Sequence, residues 1–103
     1  MSHYERISEL LELGVIEAIS SILDIYDPDL LLNLLGILEE LFTFGERLRQ
    51  AESSSENPAF FSFKQTDGLK KLEYLLQHSN EKIQKKAIEL LRSCQNDLEN
   101  LEL

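Results

Sequence analysis

The stretch DPDLLLNLLGILEELFTFGE, from Asp27 to Glu46, constrains the fold more than any other segment of the chain. Asp27 followed by Pro28 marks a helix start: a side chain that can accept backbone N–H groups, then a residue whose fixed φ suits the first helical position. Read as a helix from there, the segment sets Leu30, Leu31, Leu32, Leu34, Leu35, Ile37, Leu38, Leu41 and Phe42 around nearly its whole circumference. A helix lying on one side of a small domain needs only an apolar stripe. This one therefore needs neighbours on more than one side.

The rest of the chain also reads as helix, with no strand pattern. Tyr4, Ile7, Leu10 and Leu11 recur at helical spacing and stop at Gly14, a residue suited to end a helix. Ile16, Ile19, Ile22 and Leu23 form a second stripe, which ends at Asp27-Pro28. Residues 50 to 57, QAESSSEN, are polar and without periodicity, and read as a flexible insertion. Asn57-Pro58 repeats the cap-then-proline start and opens PAFFSFKQTDG, which Gly68 is expected to close as Gly14 closes the first helix. Leu69, Leu72, Leu75 and Leu76 form the next stripe. SNE at 79 to 81 caps a last helix carrying Ile83, Ala87, Ile88, Leu90 and Leu91.

The two halves superpose at an offset of 53 residues. Ile16 then falls on Leu69, Ile19 on Leu72, Ile22 on Leu75 and Leu23 on Leu76. Further along, Leu30 falls on Ile83, Leu34 on Ala87, Leu35 on Ile88, Ile37 on Leu90, Leu38 on Leu91 and Leu41 on Cys94. Allowing about ten residues for the insertion, the unit is ~42 residues with three helices, the length of armadillo-type repeats. Such units stack and cover one another's apolar faces. The expected fold is all-α, an armadillo-type right-handed α-solenoid of two three-helix repeats. The first repeat is placed at about 3–49, the insertion at about 50–57, the final repeat at about 58–96 and an acidic tail at 97–103. The last helix carries Lys82, Gln84, Lys85, Lys86, Glu89 and Arg92 and reads as a polar end cap.

Composition removes several function classes. The chain is 103 residues with net charge −9, and no Lys or Arg lies between Arg6 and Arg47. Nucleic acid is a poor ligand for such a surface, because phosphate binding depends on cationic side chains releasing counterions. Basic partners suit it better, although an acidic face also serves plain solubility. No apolar run reaches the ~20 residues that span a bilayer, and no signal segment opens the chain, so neither a membrane nor secretion is expected. Cys94 has no partner for an internal disulfide and reads as a buried small hydrophobe. His3 lies near the terminus and His78 at a helix end, where interaction with terminal carbonyls is the simplest role. DIYDPD at 24 to 29 offers three carboxylates, but Pro28 and the following leucines break the register of a calcium loop. No phosphate-binding glycine loop is present. Neither an enzyme nor a cofactor is expected.

Local segments carry a more specific resemblance. LLELGVIEAISSIL, ILEELFTFGE and NPAFF…DGLKKLEYLLQHSNEKIQKKAIELL resemble the last two armadillo repeats of importin-alpha, the karyopherin adaptor for cargo bearing nuclear localisation signals. The match covers about residues 4 to 94, and the long insertion before the final repeat is similar too. The family recognises its standard cargo with ladders of Trp and, four residues later, Asn on third helices of more N-terminal repeats. This chain has no Trp: Gly36 and Glu40 stand at those positions in the first repeat, Glu89 and Ser93 in the second. The aromatic brackets that hold Lys stems are thus missing, as is the basic arm that binds importin-beta.

The resemblance implies other work. The family's C-terminal repeats are where an export receptor of the CAS type, with its GTP-bound small GTPase, grips cargo-free adaptor, and where a nuclear-basket nucleoporin docks. Some non-standard cargoes use the same end, and the protein would shuttle between nucleus and cytoplasm. The expected partner-binding residues lie on the inner row of third helices: Asn33, Gly36, Glu39, Glu40, Lys86, Glu89 and Ser93, with Glu46 a further carboxylate for basic segments. A homodimer through the N-terminal face, with Tyr4, Ile7, Leu11, Ile16 and part of Leu30 to Leu38 bare, is a further expectation. The competing reading is a structural or regulatory helical domain unrelated to transport.

Overall fold

The structure is a computed structural model that describes residues 9, 11–53 and 56–102, with side chains as far as residue 94. Tyr4, Ile7, Leu10 and His3, on which parts of the sequence reading rest, lie outside the described residues. Five helices follow the short helical stretch at 9, 11 and 12: α1 (Val15–Ser21), α2 (Pro28–Ala51), α3 (Pro58–Lys64), α4 (Gly68–Leu75) and α5 (Glu81–Glu102). No strand occurs among the described residues. They fill a slab of 40 × 36 × 20 Å, whose thin dimension is about two helix diameters. α2 lies against both α3 and α5, while α1 and α4 complete the second layer over α3 and α5.

Local chemistry sets the element ends. Gly14 has φ +87° and separates the first helical stretch from α1, a conformation that costs glycine least. Asp27 Oδ1 accepts the Leu30 N–H at 3.2 Å with Pro28 at the first helical position, as expected. Asn80 Oδ1 accepts from the Lys82 and Ile83 N–H groups at 2.9 and 3.4 Å. His78 Nδ1 accepts the Asn80 N–H at 3.0 Å, so its ring holds the entry to α5 through a backbone donor and not through helix-terminal carbonyls.

The second proline start is deeper than it reads. Asn57 is fully buried; its Oδ1 accepts from Ala59 and Phe60 N–H, and its Nδ2 donates to the Phe42 carbonyl at 3.0 Å. One side chain therefore caps α3 and ties it to α2. A Cβ on Gly45 would overlap Asn57 Oδ1, so α2 needs glycine there to let the cap approach. Around this joint Phe42 meets Phe60 and Phe63 edge to face, at centroid distances of 4.5 and 5.2 Å, a favourable arrangement of ring quadrupoles.

Three boundaries differ from the sequence reading. α2 runs on through Ala51, with Glu52 as C-cap and Ser53 in the left-handed region at φ 55°; of the expected insertion, Gln50 and Ala51 are helix and Asn57 is core. Gly68 does not close the preceding helix. α3 stops at Lys64, Thr66 Oγ1 donates to the Phe63 carbonyl at 2.7 Å, and Gly68 is the first residue of α4. Glycine is needed at 68 because a Cβ would overlap the Phe63 ring. Finally, α5 continues to Glu102, so residues 97–102 belong to the helix and do not form a separate tail.

Burial corrects the opening expectation as well. α2 buries Leu31, Leu34, Leu35, Leu38, Leu41, Phe42 and Phe44, but Leu30 and Ile37 are 47% and 45% exposed. The helix is covered on two sides and bare on a third. Ile16 is fully buried and Leu11 half-buried, so these two are not part of a bare N-terminal face. Cys94 is buried, as expected.

Candidate partner-binding surface

The seam between α2 and α5 gathers most of the candidate residues. Three- and four-residue spacing puts Glu39 in line with Glu46 on α2, and Lys86, Glu89 and Ser93 in line on α5. Lys86 Nζ lies 3.0 Å from Glu39 Oε2 across the seam and 3.5 Å from Glu89 Oε2 along its own helix. The Glu39 hydrogen bond, together with the charges of Glu39 and Glu89, holds the Lys86 ammonium above its ordinary pKa against the opposing effect of burial. Ser93 Oγ donates to the Glu89 carbonyl at 3.1 Å, and Thr43 Oγ1 to the Glu39 carbonyl at 3.0 Å.

Further along, the seam opens into a groove of about 470 Å³ floored by Phe42, Phe60 and Leu90 and rimmed by Glu39, Glu46 and Ser93. Arg49 Nε reaches both Glu46 carboxylate oxygens at 3.1 and 3.0 Å, which holds the Glu46 carboxyl below its ordinary range. The carboxylates of the rim, Glu39 and Glu46, are thus already paired within the chain over an aromatic floor, while Arg47, which also lines the groove, has no ion-pair partner among the described residues. The rim can offer carboxylates to an incoming cation only by exchanging partners.

The other three candidates stand apart. Asn33 and Glu40 are exposed on α2, and Gly36 is flanked by open space, with nothing within 4 Å of where a Cβ would sit. Glu39, Lys86, Glu89 and Ser93 form one cluster; Asn33, Gly36 and Glu40 form a second line beside it.

A different groove had no place in the sequence reading. Between residues 23–26 and α4, Leu23 and Leu75 floor an open cleft of about 800 Å³ flanked by Tyr26, Lys70, Tyr74 and His78. Tyr74 lies off the apolar stripe of Leu69, Leu72, Leu75 and Leu76, the one signal that could have nominated it, whereas Tyr26 simply continues the spacing of Ile22 and Leu23. On its edge Lys71 Nζ donates to the Ser20 carbonyl at 2.8 Å, completing the end of α1.

Among the described residues, no group of three or more His, Cys, Asp or Glu is placed to hold a metal ion, and no helix is long and apolar enough to cross a membrane. Asp24, Asp27 and Asp29 in particular do not converge. No protein-family model matches the chain, and no solved structure matches it significantly.

Proposed function

We propose that the chain is a protein-interaction module, the C-terminal two-repeat region of an importin-alpha-type nuclear transport adaptor, built as an armadillo-type right-handed α-solenoid. The observation that supports this reading is the side-by-side contact of α2 and α5, the third helices of the two halves, joined across their seam by Glu39 and Lys86. A row of third helices is the inner surface on which such a solenoid takes its partners, and Glu39, Lys86, Glu89 and Ser93 share it here. The partners are a CAS-type export receptor with its GTP-bound small GTPase, a nuclear-basket nucleoporin and non-standard cargo, and the protein shuttles between nucleus and cytoplasm. Without Trp at the bracket positions, standard nuclear localisation signals are not its ligands.

Immobilised chain is expected to retain purified export receptor when the small GTPase carries GTP and to release it when the GTPase carries GDP. Glu39→Lys and Glu89→Lys are expected to weaken retention while leaving the helical circular dichroism unchanged. Folded chain that retains no receptor in either nucleotide state would overturn the reading in favour of a helical structural or regulatory domain outside transport.

A further inference from the structure

The exposed face of α2 has an interior glycine that the chain itself does not need. Gly14 is required by its positive φ, and Gly45 and Gly68 by the side chains that would overlap a Cβ, but Gly36 has neither constraint. Glycine weakens a helix interior relative to alanine, so the notch at Gly36 is unexplained within one copy. Beside it are the two half-exposed apolar side chains of α2, Leu30 and Ile37. Asp29 and Arg47, near the two ends of the same face, have no ion-pair partner among the described residues, and Arg47 also stands at the edge of the seam groove.

We propose that this face of α2 is a homodimer surface on which a second copy lays its own α2 antiparallel, with the two-fold axis at the level of residue 38. The register follows from the sequence. Asp29 and Arg47 are eighteen residues apart, five whole turns at about 3.6 residues per turn, so they share one line along the helix. Both lie nine residues from 38, about 14 Å along the axis at 1.5 Å per residue. In the two-fold pair Asp29 of each copy therefore meets Arg47 of the other, giving two equivalent ion pairs. The same symmetry brings Ile37 beside its counterpart near the axis and Glu40 opposite the other copy's Gly36. There the missing side chain leaves room for it. An isologous interface has to be self-complementary in this way: an acid and a base at equal distances from the axis, a notch facing a projection, and an apolar pair at the centre. The proposal concerns this chain alone and does not rest on the transport reading.

Sedimentation velocity on the whole chain over a wide concentration range tests it. The wild-type chain is expected to pass from monomer to dimer, and Ile37→Glu to remain monomeric. Arg47→Glu and Asp29→Lys, each placing like charges together twice, are expected to weaken the dimer by more than about tenfold. An equimolar mixture of those two variants restores both ion pairs and is expected to regain dimer as a heterodimer. All three positions are exposed, and circular dichroism melts check that the variants stay folded. A wild-type chain that remains monomeric throughout overturns the proposal. So does a dimer that Ile37→Glu leaves intact, or one whose charge-reversed variants fail to recover on mixing.

Discussion

Helices α2 and α5 start from the same device, an Asx side chain accepting N–H groups of the first turn at Asp27 and at Asn80, yet they are buried along different lines. At the repeat offset of 53, Leu34, Leu38 and Leu41 match Ala87, Leu91 and Cys94 as buried pairs. Elsewhere the pairing inverts. Ile83 and Leu90 are buried where Leu30 and Ile37 are half-exposed, and Ile88 is 39% exposed where Leu35 is fully buried. Equal sequence positions differ because the helices have different neighbours: α2 is held between α3 and α5, whereas α5 packs on α2 and α4. Repetition of apolar residues thus fixes that each helix has a buried side, while the number and direction of its neighbours decide which arc that is.

The largest expected effect sharpens this contrast. Leu35→Ala should cost ~2–5 kcal/mol, since truncating a fully buried leucine loses transfer energy and leaves a cavity. Ile88→Ala, at the equivalent position on α5, should cost less than about 1 kcal/mol. Chemical denaturation of both variants checks this. Equal losses would mean that the two helices are buried alike.

The two caps give the next comparison. Asn57→Ala removes a buried cap and also the side-chain hydrogen bond to the Phe42 carbonyl that ties α3 to α2, so about 2 kcal/mol or more should be lost. Asn80→Ala at the start of α5 removes only a half-exposed cap and should cost about 1 kcal/mol. Thermal melts of the pair, with Asp27→Ala as a third exposed cap, rank them.

A smaller effect concerns the connection between the halves. Deleting two residues from 52–56 should change stability by no more than about 0.6 kcal/mol, because closure entropy varies slowly with loop length. A deletion reaching Gln50 and Ala51 shortens α2 itself and should cost more. Denaturation midpoints of the two deletions separate a loop from a helix end.

The smallest expected effects are those of pH, and their signs differ between an ion pair within α2 and one joining α2 to α5. The Glu46 carboxyl is held below its usual 4.5 chiefly by Arg49, so its contribution is present above pH 4.5 and is lost as pH falls through the folded value. Lys86 is held above its usual 10.5 chiefly by Glu39, so its contribution is present below pH 10.5 and is lost as pH rises through the folded value. Arg49→Gln should flatten the acid side of the stability profile and Lys86→Met the alkaline side. Both groups are partly exposed, and added salt should shrink both effects.

What could be read from the candidate site follows the same division. The resemblance and the offset of 53 set Gly36 and Glu40 at the equivalents of Glu89 and Ser93. The contact that forms is instead between Lys86 and Glu39, whose own equivalent is Arg92, because it depends on which lines of the two helices face each other. The Tyr26 and Tyr74 cleft left no periodic trace of its own, because its walls come from a loop and from the polar side of α4.

The sequence by itself determined what depends on near neighbours along the chain. Asp27-Pro28, Asn57-Pro58 and Asn80 start their helices because the acceptor and the donors lie within three residues of one another. Gly14 breaks a helix through its own φ, and the three- and four-residue spacing of leucines guarantees each helix an apolar side. Only the tertiary structure decided what depends on residues far apart in the chain: that Gly45 makes way for Asn57, that Asn57 also holds the Phe42 carbonyl, and that Leu30 and Ile37 remain bare while Ile83 and Leu90 do not. Periodicity tells a side chain which line of its helix it occupies; close packing against particular neighbours tells it whether that line meets protein or water.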